Sequence, residues 1–394
     1  MTDGSAAPED APQEAGQEEP RETRAQRRGR LRRDGLRRSN PLGRGYRRVR
    51  SGRGFSYKDL DGATLTDRAL RARIEALAIP PAWTDVWIAP YENGHIQAVG
   101  VDAQSRKQYI YHPTWRERES RKKYDRMLRL AAALPKARKQ VTRHLRDQEP
   151  TKRRALAAAF RMLDLGGLRI GSPRYLEETG SRGLTTLLNR HAEVEEDRIH
   201  LRFPAKSHKE WDSTFKDRGL AAYLREMAER GPEAPLVAYR EGDEWRALTA
   251  QEINKYVKKR TGGSFSAKDF RTLRGTVTAA RSLAKHGLEE KQGKQKRAVA
   301  QAMRDAAEVL SNTPTIAKAS YVDPRVVDHY RRGDVIPAER AKTAETEVLA
   351  LLAEDAEEPI GVPTGRDAAA PEQPLSTEVV PADEDAAPED PAAA

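Results

Sequence analysis

Apolar positions change their period along this chain, and the changes mark its elements. Between residues 55 and 111 they come in short alternating runs. Phe55-Ser56-Tyr57, Trp87-Ile88-Ala89, Ile96-Gln97-Ala98-Val99-Gly100 and Lys107-Gln108-Tyr109-Ile110-Tyr111 read as strands, with Asn93-Gly94 as a strong hairpin turn. Leu70, Ile74 and Leu77 share one face of a helix expected over 67–78, which Pro80-Pro81 stops. From residue 116 onward the period is helical. A very basic helix over 116–133 is expected to end at Pro135, with helical spacing resuming over 136–146. Leu156, Phe160 and Leu163 form the core stripe of a helix over 151–165, and later helices are expected over 214–230, 249–258, 266–283, 294–310 and 337–353. One alternating hairpin interrupts them, leaving along Ile199 to Phe203 and returning at Glu210-Trp211. Leu236 to Tyr239 reads as a short extra strand or a buried segment. The fold class is therefore α+β: a small N-terminal antiparallel sheet with short helices, then a mainly α-helical domain carrying a β-hairpin.

One short stretch stands apart. Thr313-Pro314 reads as an N-cap and first helical residue, and Asp323-Pro324 repeats the signal. A short helix should end near Tyr321, placing that phenol at a junction between two helices, with Asn312 just ahead of the first. A Tyr at a helix end is ordinarily a packing residue. At such a junction it can also be presented to a ligand.

Composition adds the partner. The chain has 394 residues, with 71 Lys and Arg against 60 Asp and Glu, a net +11. The charges are unevenly spread: residues 1–20 carry only acidic charges, 21–53 are dominated by Arg, and from 354 the chain is acidic again. Residues 1–53 are expected to be a disordered Arg-rich tail and 354–394 a disordered acidic one. Between them, 54–134 should form the N-terminal sheet domain, 135–150 a linker and 151–353 the helical domain. A basic middle suits a polyanion, most simply nucleic acid, although a solvated, solubilising surface has the same composition. With no cysteine, thiolate catalysis, disulfides and Cys-ligated metals are excluded. No apolar run has membrane-spanning length, and the acidic N-terminus lacks the plan of a secretion signal, so the cytosol, at the nucleoid, is the expected location.

Candidate chemistry gathers in five places. Gly166-Gly167-Leu168-Arg169-Ile170-Gly171 puts Arg169 on a tight connector, where its rigid fork can take two phosphate oxygens or simply be solvated at a helix end. Lys206 lies in the hairpin turn; such a Lys is commonly just solvated, but on a hairpin entering a groove it can deliver a proton. Ser266-Ala267-Lys268-Asp269 has capping-box spacing, and Lys268 and Arg271 share a helix face. Tyr109 and Tyr111 fall on one face of their strand and Gln108 on the other. Those tyrosines can stack in a groove or pack on a core, and Gln108 can pair with an adenine edge. Asn312 and Tyr321 complete the set.

These segments resemble the type IB DNA topoisomerases of the small bacterial, poxvirus-like kind. The resemblance is carried, in order, by Lys107 to Tyr111, Leu168-Arg169-Ile170-Gly171 with Tyr175, Gly183-Leu184-Thr185-Thr186-Leu187, Phe203-Pro204-Ala205-Lys206, Lys268-Asp269-Phe270-Arg271-Thr272, and Asn312-Thr313-Pro314 running to Ser320-Tyr321; it covers about residues 54–350. It implies that Tyr321 attacks a scissile phosphate to form a 3′-phosphotyrosyl link, that Arg169, Arg271 and Asn312 contact the non-bridging oxygens, and that Lys206 protonates the leaving 5′ oxygen. Lys268 would assist nearby, and Gln108, Tyr109, Tyr111 and Tyr175 would contact DNA. Asn312 stands where related enzymes often carry His. It also implies relaxation of supercoiled DNA without ATP, metal or other cofactor, by a monomer clamped around double-stranded DNA. The nearest rival is a tyrosine recombinase, which commonly has His where Lys268 stands; a non-enzymatic DNA-packing protein is the second.

Overall fold

The computed structural model describes residues 35–206, 209–357 and 359–360. They form two compact units, one ending at Lys122 and the other beginning at Lys123.

In the first unit, five antiparallel strands lie in the order β2-β1-β3-β4-β5: β1 Tyr46–Ser51, β2 Gly54–Lys58, β3 Thr84–Ile88, β4 Ile96–Val101 and β5 Lys107–Tyr111. Helix α1, Arg68–Ala76, is capped by Asp67, whose carboxylate accepts from the backbone N–H of Ala69 and Leu70. Its Ile74 packs with Val86, Ile88 and Ala98 of the sheet, flanked by Leu70, Leu77 and Ile110. Removing these apolar faces from water is what holds a sheet of such short strands together.

Strand β1 corrects the expected tail at 1–53. It lies inside the sheet, with Arg48 opposite Tyr57 and Tyr46 opposite Ile88. Its Arg-rich sequence concealed it. Arg48 is nearly buried and spends its guanidinium on the carbonyls of Ile79 (2.9 Å), Pro80 (3.0 Å) and Trp83 (2.6 Å), so it acts as a structural bracket for the turn before β3. The Arg block at 27–33 lies outside the described residues, as does the acidic tail beyond 360.

A 33-residue helix, α2 (Pro113–Leu145), runs through Pro135. The expected stop at Pro135 is therefore absent, and the residues foreseen as the start of a linker are its last three turns. Leu134 and Ala137 are fully buried on either side of the proline, so packing of the apolar stripe outweighs one missing backbone hydrogen bond.

The second unit is mainly helical. After α2 come α3 (Lys152–Gly166), α4 (Pro173–Thr179), α5 (Arg218–Ala228), α6 (Ala250–Thr261), α7 (Ala267–His286), α8 (Gln292–Val309), α9 (Pro314–Ser320), α10 (Pro324–Arg332) and α11 (Ala344–Ala353). The expected hairpin is present as β7 (Arg198–Pro204) and β8 (Glu210–Lys216), and β6 (Ala192–Glu195) extends it to three strands. The segment at 236–239 contributes to β9 (Ala238–Glu241), paired with β10 (Glu244–Ala247). One continuous core joins α2, α3, the hairpin and α7, with Phe160 of α3 edge-on to Phe270 of α7 at 5.4 Å. No described helix is long and apolar enough to cross a membrane.

Candidate active site

Tyr321 stands at the foot of α9. Thr313 caps that helix by accepting from the N–H of Ile316, Pro314 is its first residue, and Tyr321 closes it with its own N–H on the Ala317 carbonyl. Asp323 then caps α10 and is fully buried. The junction foreseen from the two Thr/Asp-Pro signals is therefore present.

Arg271, on α7, organises the surroundings. It is almost completely buried, and its two terminal nitrogens donate to the carbonyls of Gly167 (2.7 Å) and Leu310 (2.8 Å). Those carbonyls belong to the chain just ahead of Arg169 and just ahead of Asn312. One guanidinium thereby brings together two segments that carry other site residues. Its Cζ lies 4.9 Å from the Tyr321 ring centroid and 5.7 Å from that of Trp211. A guanidinium has five N–H donors, so three remain after the two carbonyl bonds, and the Nε among them is buried without a partner. Burial, then the charge of Arg169, lowers the Arg271 pKa to about 10, so it stays protonated at neutral pH.

Glycines set the Arg169 connector. Gly167 adopts a left-handed conformation (φ 64°) and ends α3 with its N–H on the Leu163 carbonyl. Gly171 and Gly183 then pass backbone to backbone: a Cβ on Gly183 would lie 2.6 Å from the Gly171 Cα and 2.8 Å from the Arg169 carbonyl. Arg169 Nη2 donates to Asn312 Oδ1 at 3.1 Å, which leaves the Asn312 amide nitrogen buried with no partner. Two buried donors are thus unpaired, Arg271 Nε on the guanidinium beside the phenol and Asn312 Nδ2 on the amide beside Arg169. Such donors are costly unless a ligand takes them up. Burial tends to raise the Tyr321 pKa, but the charges of Arg271, Arg169 and Lys268 outweigh it and leave the phenol below its usual value.

The remaining candidates are less tightly joined. Lys268 is exposed in the first turn of α7, where Asp269 completes the capping box by accepting from Ser266 N (2.8 Å) and Oγ (3.0 Å). Lys268 is exposed and Arg271 buried, and the charges of both act on Tyr321. Lys206 is exposed beyond β7, on the hairpin whose Trp211 faces Arg271. Tyr175 is an exposed residue of α4. In the first unit the Tyr109 and Tyr111 rings stack at 5.8 Å, on one face as expected. Gln108 is not free for an adenine edge on both of its amide groups: its Nε2 donates to Asp102 at 2.7 Å.

Several contributors carried no local signal. Gly275 lets α7 approach the segment that carries Tyr321, since a Cβ there would lie 3.0 Å from Leu310 Cδ1, 3.1 Å from the Tyr321 carbonyl and 3.2 Å from the Tyr321 Cβ. Thr276 Oγ1 donates to the Tyr321 carbonyl (3.1 Å) and accepts from the Asp323 N–H (3.1 Å). Lys123 and Tyr124 of α2 donate to the carbonyls of Ser320 and Val322 in the same segment. These are contacts across long stretches of sequence, which no motif spacing announces.

Comparison with known proteins identifies the family. Residues 112–344, more than half of the chain, match the family model for the eukaryotic DNA topoisomerase I catalytic core, and residues 54–102 match that for the bacterial DNA topoisomerase IB N-terminal domain. The chain is 27% identical over 299 residues to DNA topoisomerase 1B of Acanthamoeba polyphaga mimivirus, covering 73% of this chain and 88% of the viral protein. It is 23% identical over 271 residues to DNA topoisomerase 1B of vaccinia virus (strain Copenhagen) and to DNA topoisomerase I of monkeypox virus, in each case covering 65% of this chain and 80% of the relative.

Proposed function

Since the chain belongs to the type IB DNA topoisomerase family, we propose that this enzyme relaxes supercoiled DNA by transient cleavage of one strand through a 3′-phosphotyrosyl bond at Tyr321. The observation that carries this reading is the Arg271 guanidinium beside the phenol, with Arg169, whose charge also acts on Tyr321, bonded to the Asn312 amide and two buried donors of the set still unpaired.

Tyr321 attacks the scissile phosphate. A free phenol is ionised at about one part in a thousand at pH 7, so the cations that lower its pKa raise the supply of nucleophile. Negative charge spreads over the equatorial oxygens as the phosphoryl group transfers, and Arg169, the spare donors of Arg271 and the Asn312 amide are suited to receive it. Asn312 carries no proton to give, so its role is hydrogen bonding. Lys206, on its hairpin, protonates the departing 5′ oxygen, and Lys268 assists at the same phosphate. The 3′-phosphotyrosyl bond retains the phosphodiester energy, so resealing after strand rotation needs neither ATP nor a metal ion. Gln108, Tyr109, Tyr111 and Tyr175 contact the duplex, which a monomer clamps at the nucleoid.

The test is relaxation of supercoiled plasmid in EDTA without ATP, run beside Tyr321→Phe, with denaturant trapping of any protein–DNA adduct. Relaxation and a 3′-linked adduct are expected from the wild type, and neither from Tyr321→Phe. Absence of both from the wild type would overturn the proposal.

A further inference from the structure

Three consecutive carbonyls around Tyr321 are each held by a side chain from another helix. Lys123 Nζ donates to the Ser320 carbonyl at 3.2 Å, Thr276 Oγ1 to the Tyr321 carbonyl at 3.1 Å, and Tyr124 Oη to the Val322 carbonyl at 2.7 Å. Tyr321 needs such support. It sits outside the helical basin, at φ −131° and ψ −20°, where α9 has ended and α10 has not begun. Its own helix makes fewer than two turns and cannot hold the peptide rigidly. The two outer grips come from neighbouring residues of α2. Tyr124 is buried, and the Lys123 ammonium lies 4.0 Å from its ring centroid, so the two side chains support one another.

The geometry points to Lys123 and Tyr124 as a clamp of positioning residues for the nucleophile, setting the peptides on either side of Tyr321 so that its phenol meets the scissile phosphate. This rests on the reading of Tyr321 as nucleophile. Neither residue touches the reacting atoms; both act through the backbone of residues 320–322.

Charges around Lys123 give the clamp a pH dependence. From α7 it faces Lys268. On its own helix, one turn on, Arg126 is paired with Asp269 at 2.7 Å. From the segment that carries Tyr321 it faces Asp323, which is committed to Arg325 at 2.8 Å. Burial, then Lys268, lowers the Lys123 pKa to about 8, against the pull of Asp323. Below that pH the bond to the Ser320 carbonyl is charge-assisted; above it the ammonium is lost and the bond weakens.

The experiment measures single-turnover cleavage of a suicide duplex, whose downstream strand leaves with its free 5′ hydroxyl and diffuses away, at saturating enzyme over about two pH units on either side of the shifted Lys123 pKa. Wild type, Lys123→Met, Lys123→Arg and Tyr124→Phe are compared, with affinity for an uncleavable duplex measured alongside. Lys123→Met and Tyr124→Phe are expected to form adduct about tenfold or more slowly, the order set by misplacing a reacting group, with duplex affinity near wild type. Lys123→Arg, which keeps a charged donor, is expected to recover most of the rate and to extend the alkaline limb upward. Wild-type cleavage rates in Lys123→Met and Tyr124→Phe would overturn the clamp, as would a defect that follows lost DNA affinity. An adduct from wild type and none from Tyr321→Phe keeps the nucleophile reading intact in either case; no adduct from wild type overturns both.

Discussion

At the scale of single residues, Arg271 combines two roles that mutagenesis can separate. Its planar fork spans two carbonyls, Gly167 and Leu310, and still has N–H donors in hand. A lysine has one compact ammonium and cannot reach both oxygens while pointing at a phosphate. Arg271→Lys therefore leaves at least one buried carbonyl unpaired, at a cost of about 1–3 kcal/mol in stability. It also withdraws the oriented guanidinium donors proposed to face the phosphate, for an expected loss of about a hundredfold or more in cleavage rate. Denaturant melts and single-turnover cleavage read the two effects separately; a variant slow in cleavage yet of wild-type stability would count against the carbonyl-bridging role. The phenol's pKa supplies a second test. Cleavage should rise with pH as Tyr321 ionises, and the rise begins below the usual phenol value because Arg271, Arg169 and Lys268 outweigh burial. Lys268→Ala removes one of these cations, so its rising limb should move to higher pH. An unmoved limb would show that Lys268 does not tune the nucleophile.

At the scale of elements, α7 and the segment that carries Tyr321 approach closely. Replacing Gly275 by Ala would favour the helix by less than about 1 kcal/mol. The added Cβ, however, meets the Tyr321 carbonyl at 3.1 Å and the Tyr321 Cβ at 3.2 Å, atoms held by the surrounding hydrogen bonds and unable to yield cheaply. Overpacking of about 1–3 kcal/mol outweighs the propensity gain. Gly275→Ala should thus lower the melting temperature and slow cleavage together, and a stabilised variant with wild-type cleavage would show that the segment can shift. Elements of this kind were partly legible in the sequence. Helix starts were readable where Ser266, Thr313 and Asp323 precede a helical pattern with a side chain suited to the cap, and the structure places all three at N-cap positions. The candidate residues Arg169, Asn312 and Tyr321 were legible as polar groups at helix ends, where local signals are strong. Pro135 misled because a proline's local cost is visible in sequence, whereas the buried faces that override it at Leu134 and Ala137 are not. Strand β1 was hidden for a related reason: arginine density reads as tail, and only the carbonyls waiting for Arg48 make it structure. The grips of Lys123, Tyr124 and Thr276 on the carbonyls of residues 320–322 depend on which helices pack together, and that is written nowhere near them.

At the scale of the whole molecule, the position of β1 separates the Arg-rich arm from the folded sheet. Seven arginines lie between residues 21 and 34, ahead of any described element, while those from Tyr46 onward belong to β1 or its turn. The first group is suited to sequence-independent phosphate contact, and each phosphate contact contributes about 0.9 to the slope of log affinity against log salt. The second group includes Arg48, whose loss would remove three hydrogen bonds to the turn carbonyls before β3, and β1 itself pairs with both β2 and β3. Two truncations should therefore differ in kind. Removing residues 1–34 is expected to leave the melting curve unchanged and to flatten the salt dependence of duplex binding. Removing residues 1–50 is expected to abolish the cooperative melting of the sheet unit, because β2 and β3 lose the strand between them. Salt titrations of duplex affinity and circular-dichroism melts of both truncated chains check this. An unchanged salt slope in the shorter truncation would mean that the arm makes no phosphate contacts, and an intact melt in the longer one would mean that the sheet closes without β1.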